Sequence, residues 1–282
     1  MDCLYLVIGT GELAVQIAAT LMKQGVSVVV FEVKYSDNSL VSKGCKDNNI
    51  EYKCVKKEEL TAYLESKINK YKLKVISAVN TYIFPKDIVN HKNFFGINYH
   101  NSLLPLHAGM NVESHTIFMG DRVTGITWHI ISDKIDKGKI ICQKEIKIDD
   151  NETSLTLLGK QMKLGYETFL GFMKNFIDNS IDSFDNSGTG SYHKISDKPC
   201  DGMITLDMPD DQIDRFLRAY DYGFLYTLGK PKVLYQGKLY EFRAYKILKE
   251  DTKPYARIDK GNLLFKVKSD GRSYVLRGIK EI

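Results

Sequence analysis

Residues 5–18 read YLVIGTGELAVQIA, an apolar run followed by a glycine turn and a second apolar pattern. The first part has the composition of a buried strand. Leu13, Ile17, Ala18 and Leu21 then recur at the spacing of one helix face, with Gly25 as a stop. Gly9, Gly11 and Ala14 match the G-x-G-x-x-[GA] turn that seats a pyrophosphate on a helix N-terminus. Glu32 ends the next apolar run, VSVVVFE, where an acid that binds a ribose would stand. The stretch has two readings: the NAD site of an oxidoreductase, or the first strand–helix unit of an α/β domain that needs no dinucleotide.

The alternation continues along the chain. EELTAYLESKINKYK reads as an amphipathic helix, LKVISAVN as a buried strand, and GINYH (96–100) as a short strand running into a loop enforced by the Pro and Gly of NSLLPLHAG. A helix over about 112–119 follows, then strands in VTGITWHII and KGKIICQKEIKI joined by the loop SDKIDKG, then a long helix over 152–178. Strand and helix in turn predict an open, Rossmann-like, mostly parallel sheet over residues 1–180. Residues 181–203, rich in Ser, Asn, Asp and Gly, have the composition of a linker or long loop. A helix through DDQIDRFLRAYD and several short strand-like runs predict a smaller β-rich domain over 204–282, of the partly open, OB-like barrel kind.

The chain has 282 residues, 43% of them hydrophobic and 27% charged, enough for one large domain or a domain with a smaller companion. No apolar run approaches the ~18–20 residues that span a bilayer, and the N-terminal run lacks the basic leader of a secretory signal. The cysteines Cys3, Cys45, Cys54, Cys142 and Cys200 are scattered without a C-x-x-C pair, which argues against a disulfide framework or structural zinc and for a reducing cytoplasm. From Tyr222 onward fourteen Lys and Arg face six Asp and Glu, so this end carries +8 and the remainder −3 of the net +5. A basic end suits an anionic partner such as RNA, a phosphorylated metabolite or an acidic carrier protein, and it suits a plain solvated surface equally well.

The densest polar cluster is GINYHNSLLPLHAGMN, residues 96–111, at the end of a predicted parallel strand, where open α/β sheets gather their chemistry. Asn98 and His100 lie two apart and so share a strand face. Asp136 follows in a glycine-bounded loop between two strands, from which a carboxylate can orient His100 or move a proton. His107 and His115 are too widely spaced for a compact metal site. His129 alternates with Thr127 and is either a site residue or a packed strand histidine; Trp128 reads as core.

NYHNSLLP followed by GITWH and IDKGKII resembles the folate-dependent formyltransferase family, over residues 1 to about 180 and more weakly through MPDDQIDRFLRAYDYG. The resemblance implies formyl transfer from 10-formyltetrahydrofolate to a primary amine, by direct transfer through a tetrahedral intermediate, with Asn98, His100 and Asp136 as the catalytic trio. An amide N–H on the developing oxyanion is a donor of a type that contributes ~10²–10³ in rate. The resemblance carries Ser102, Leu103, Leu104 and Pro105 over as cofactor-side residues, and Tyr82 and Ile83 by position alone. It also recasts the opening stretch as the first unit of a folate-using sheet, with Gly11 left as a place for an acceptor phosphate.

The acceptor is read from departures. The tRNA enzymes of the family place basic residues after Ser-Leu-Leu-Pro, whereas here Leu106, His107, Ala108 and Gly109 follow. The loop looks most like that of enzymes that formylate an amino acid, a carrier-tethered intermediate or an amino sugar, with Asn111 and Glu113 as candidates to touch the amine or to cap the next helix. Methionyl-tRNA formyltransferase, formyltetrahydrofolate hydrolase and an NAD-binding oxidoreductase are the alternatives, and a basic β-region alone would also fit an RNA-binding module.

Overall fold

A computed structural model describes residues 1–33, 39–248 and 252–282. In chain order the elements are β1 (Cys3–Gly9), α1 (Gly11–Lys23), β2 (Val28–Val33), α2 (Leu40–Asp47), β3 (Glu51–Val55), α3 (Lys57–Ile68), β4 (Lys72–Ala78), α4 (Lys86–Val89), β5 (Phe94–His100), β6 (Ala108–Gly109), α5 (Val112–Met119), β7 (Val123–Ile130), β8 (Ile140–Lys147) and α6 (Ser154–Asp178). They continue with β9 (Tyr192–His193), β10 (Met203–Thr205), α7 (Asp210–Ala219), β11 (Lys232–Tyr235), β12 (Lys238–Glu241), β13 (Ala244–Leu248), β14 (Tyr255–Asp259), β15 (Asn262–Lys266), β16 (Ser273–Arg277) and β17 (Lys280–Glu281). No helix among the described residues is long and apolar enough to cross a membrane.

The chain folds into two compact units, one of Met1–Gly109, Thr124–Ile146 and Lys160–Tyr192, the other of Met110–Val123, Lys147–Gly159 and His193–Ile282. The first unit holds a seven-stranded sheet in the order β3-β2-β1-β4-β5-β7-β8. Strands β1 to β5 run parallel, and β7 pairs antiparallel to β5. Alternation along each strand feeds two cores. Val7, Val30, Ile76, Ile97 and Tyr99 pack with α1, α2 and the Met162–Ile177 part of α6, while Leu6, Ile8, Val29, Phe31, Leu73 and Val75 pack with α3 and α4. Both faces of the central strands are therefore covered, which is why they read as continuous apolar runs.

The fit of α6 to the sheet is close. Trp128, fully buried, donates its indole N–H to the carbonyl of Gly165 at 3.0 Å. A Cβ on Gly165 would lie 2.4 Å from the Tyr99 ring. At the far end of the helix Lys74, 2% exposed, donates from Nζ to the Phe176 carbonyl at 2.6 Å and sits 4.9 Å from the Phe176 ring centroid. A cation at a helix C-terminus complements the macrodipole, and burial pulls the ammonium of Lys74 below its ordinary range.

The second unit does not follow the boundaries 1–180, 181–203 and 204–282. Helix α5 and the first turn of α6 belong with the C-terminal residues because their polar groups are satisfied there. The Ser114 and Tyr222 hydroxyls lie 2.7 Å apart, and Ser154 donates to the Ala219 carbonyl at 2.7 Å. Phe118 and Leu158 join the core built on Ile213, Phe216 and Leu217 of α7. The C-terminal residues are β-rich, as expected. The strands make two four-stranded sheets, β10-β11-β12-β17 and β13-β16-β15-β14. The chain changes sheets within two residues: Phe242 donates its N–H to Pro231, and Arg243 donates to Arg277.

Two glycines of α6 test the packing. Alanine exceeds glycine in helix propensity by about 1 kcal/mol, so Gly171→Ala, with nothing within 4 Å of its Cβ, is expected to raise stability to urea by about 0.5–1 kcal/mol. Gly165→Ala carries the same propensity gain but strikes the Tyr99 ring, and a loss of about 1–3 kcal/mol is expected. A gain at both positions would contradict the close approach.

Candidate active site

Strand register builds the site. In the β5–β7 pair Asn98 stands opposite His129 and His100 opposite Thr127. Ile97 and Tyr99 point into the core beneath α6, so by alternation Asn98 and His100 face the other side. The loop after β7 returns over that side with Asp136 at φ 51, and its closing residue Gly138 passes so near Ile130 that a Cβ would fall 1.7 Å from the Ile130 carbonyl oxygen.

Four side chains converge. Asn98 Nδ2 lies 3.0 Å from His129 Nε2, His129 Nε2 3.4 Å from Asp136 Oδ1, and His100 Nδ1 3.7 Å from Asp136 Oδ2. Carbonyl partners, which only accept, set the neutral tautomers. His100 Nε2 donates to the His107 carbonyl at 2.9 Å, leaving its Nδ1 lone pair toward Asp136. His129 Nδ1 donates to the Ile130 carbonyl at 3.0 Å, leaving Nε2 to accept from Asn98. The Gly109 N–H donates to Asp136 Oδ2 at 2.9 Å.

Burial pushes the His100 imidazole below its ordinary pKa, against the opposing pull of Asp136 and the His107 carbonyl, so the ring is neutral near pH 7. Burial would raise Asp136, but the adjoining imidazoles of His129 and His100 and the Gly109 N–H outweigh it and bring the carboxyl down to about 2. The site thus pairs a fixed carboxylate with a neutral base whose open nitrogen faces it.

The Thr127 hydroxyl is a hub for the loop after β5. Thr127 Oγ1 donates to the Ser102 carbonyl at 2.6 Å and accepts from the Leu104 N–H at 3.1 Å and from Gln143 Nε2 at 2.9 Å. Ser102 is buried and its hydroxyl donates to the Leu106 carbonyl at 2.6 Å, while Leu104 packs with Ala108 and Ile140. A cis peptide joins Leu104 to Pro105, and the Leu103 side chain lies over Gly125. Tyr82 is buried with its hydroxyl 2.7 Å from that of Thr61, whereas Ile83 is 69% exposed. Ser102, Leu104 and Tyr82 can therefore meet a ligand chiefly through backbone, and Ile83 through its side chain.

The opening fingerprint has a structural account. A Cβ on Gly9 would lie 1.9 Å from the Ala78 carbonyl oxygen, so Gly9 serves the approach of β1 to β4. Gly11 has φ +75, and Met162 Cε comes within 3.5 Å of its Cβ position. Glu32 Oε2 accepts from the hydroxyls of Ser39 and, at 2.8 Å, Tyr52. Asn111 and Glu113 belong to the second unit. Asn111 precedes α5 in the left-handed region without a side-chain cap, and Glu113 Oε2 accepts from the Tyr222 hydroxyl at 3.4 Å.

The depressed Asp136 pKa makes an acid-stability prediction. Relative to an unfolded aspartate near 3.9, its stabilising contribution is complete above about pH 4 and disappears as pH falls to about 2. The stability gap between the protein and Asp136→Asn, of the order of 2 kcal/mol by this linkage, is therefore expected to close between pH 4 and 2 in urea titrations. A gap constant across that window would refute the assignment.

Residues 1–171 match the Formyl transferase family model. The bifunctional polymyxin resistance protein ArnA of Wigglesworthia glossinidia brevipalpis is 31% identical over 172 residues, 58% of this chain but only 26% of ArnA, so the chain spans about a quarter of that relative's length. The methionyl-tRNA formyltransferase of Leptospira interrogans is 25% identical over 224 residues, 75% of this chain and 71% of that protein. Among solved structures, the N-formyltransferase of Helicobacter canadensis in complex with folinic acid and dTDP-3-aminofucose shares the fold with a TM-score of 0.72 at 18% identity, over 100% of both chains. A 4-N formyltransferase from Francisella tularensis has a TM-score of 0.72 at 22% identity, over 86% of this chain and 96% of that one. The chain belongs to the folate-dependent formyltransferase family.

Proposed function

We propose that the chain transfers the formyl group of 10-formyltetrahydrofolate to the primary amine of a small metabolite, with an amino sugar as the favoured acceptor. The observation that carries the chemistry is the convergence of Asn98, His100 and Asp136. Two further points support a small acceptor. Residues 106–111 bear no Lys or Arg, and His107 and Ala108 among them are buried, which leaves no cation there for a nucleic-acid backbone. An amino sugar is also the ligand found with the Helicobacter canadensis N-formyltransferase, whose fold the chain shares over 100% of both chains.

The loops around the site fit a flat, largely apolar donor ring. Ile83 after β4, Leu106 after β5 and Ile135 beside Asp136 remain 69%, 50% and 46% exposed and are apolar side chains available to such a ring. When bound, the donor supplies an activated formyl group. The roles of the chain's residues follow from their open atoms. Asn98 has one amide N–H turned to His129 and a second left to donate to a carbonyl oxygen that gains negative charge. His100 Nδ1 takes the proton that the attacking amine loses, and Asp136 Oδ2 stabilises the imidazolium so formed. The same Nδ1 proton is then available to the departing nitrogen. His129 Nε2 accepts from the Asn98 amide and so holds it in place.

The test is an assay with 10-formyltetrahydrofolate and a panel of amines (nucleotide-linked amino sugars, amino acids, methionyl-tRNA), reading folate release and product mass. Mass gain on an amino sugar is the expected result; gain only on methionyl-tRNA would replace this reading by the tRNA one, and formate release without acceptor by hydrolysis. Asn98→Ala is expected to lower kcat by about 10²–10³ and His100→Ala by about 10²–10⁴, with circular dichroism unchanged. Near-native turnover in either folded variant would overturn the assigned roles.

A further inference from the structure

Residues 184–192 have the composition of a linker, yet in the first unit they run against both loops of the site. Phe184 and Ile140 exchange backbone hydrogen bonds in both directions at 2.8 Å, anchoring the segment beside the end of the Asp136 loop. Asn186 Nδ2 donates to the Asp136 carbonyl at 2.8 Å. Gly190 lies so near Pro105 that a Cβ would fall 2.3 Å from its carbonyl oxygen. Ser191 then takes two hydrogen bonds from the other loop, the His107 N–H on its hydroxyl at 2.8 Å and the Ala108 N–H on its carbonyl at 2.9 Å.

The two residues so held are those whose backbones matter most. Asp136 and His107 both adopt positive φ, at 51 and 50, which non-glycine residues keep only when their surroundings impose it. Asp136 carries the carboxylate, and His107 offers the carbonyl that fixes the His100 tautomer. One hydrogen bond from the segment meets each: Asn186 at the first, Ser191 at the second. The Oδ1 atom of Asn186 is buried without a hydrogen-bond partner among the described residues.

We propose that residues 184–192 act as a strap that fixes Asp136 relative to His100, with Asn186 and Ser191 as positioning residues that never touch substrate. Its effect on turnover rests on the formyl-transfer reading; its effect on the His100 ring does not. The groups facing that ring are Asp136, His129 and His107.

Asn186→Ala, Ser191→Ala, Ser191→Thr and the exposed control Thr189→Ala are compared by thermal melting, by kcat and KM, and by NMR titration of the His100 imidazole in the ligand-free protein. In Asn186→Ala and Ser191→Ala the His100 midpoint is expected to move by about half a pH unit or more as the carboxylate distance and hydration change. In the same variants kcat is expected to fall about 10–100-fold at a temperature where both are folded, with KM for the donor within about twofold, as for a misplacement of the order of 1 Å. Ser191→Thr, which keeps the hydroxyl, and Thr189→Ala are expected to behave as the parent protein. Asn186→Ser replaces the alanine variant if the latter does not fold. A His100 titration unchanged in both strap variants overturns the proposal whatever the activity. A moved titration in a protein that formylates no amine supports the strap and overturns the functional reading instead.

Discussion

Because β7 runs against β5 with Asn98 opposite His129 and His100 opposite Thr127, a sheet whose first five strands are parallel acquires a pair of strands whose polar residues meet across the ladder. A one-residue slip would turn Asn98 and His100 into the core and bring Ile97 and Tyr99 out. The register is pinned from both sides: apolar residues at 97, 99, 126 and 128 sit under α6, and the Thr127 hydroxyl ties the loop after β5 to β7. The carboxylate arrives later, from a loop that can approach closely only because Gly138 has no side chain to meet Ile130. Core packing beneath the sheet and polar geometry above it are thus one constraint.

The site's electrostatics follow from the same placement. A buried imidazole resists charge and a buried carboxyl resists ionisation, so each alone would stay neutral. Set side by side, with a backbone N–H on the carboxylate, they settle with the charge on Asp136 and an open lone pair on His100. Protonating the imidazole then creates an ion pair rather than an isolated buried charge, which makes proton uptake at that nitrogen accessible.

What the sequence reveals is what depends on local pattern. The helices over 112–119, 154–178 and 210–219 follow from apolar spacing, and the parallel strands from runs such as VVVF and VISA. Helix α2 and strand β3 escaped because LVSKGCKD is short and polar and EYKCV lies at a sheet edge, half-exposed with no clear period. Asn98, His100 and Asp136 stand out by residue type and spacing, whereas the bridging place of His129 depends on a strand register that spacing does not set. The allegiance of α5 to the C-terminal unit depends on pairs such as Ser114 and Tyr222, 108 residues apart. Residues 184–192 illustrate the same limit: low apolar content correctly excludes a core, but says nothing of hydrogen bonds made to another segment's backbone.

The sheet begins with a turn that dinucleotide enzymes share, and the state of Glu32 shows how far apart the two uses stand. In this chain the carboxylate already serves the hydroxyls of Ser39, which caps α2, and Tyr52, which stands on β3. A sugar hydroxyl would have to displace partners that also secure a helix start and an edge strand. An engineer wishing to graft nicotinamide chemistry onto this scaffold would need to rebuild that corner first, because the turn at Gly9 and Gly11 supplies only half of what a dinucleotide requires.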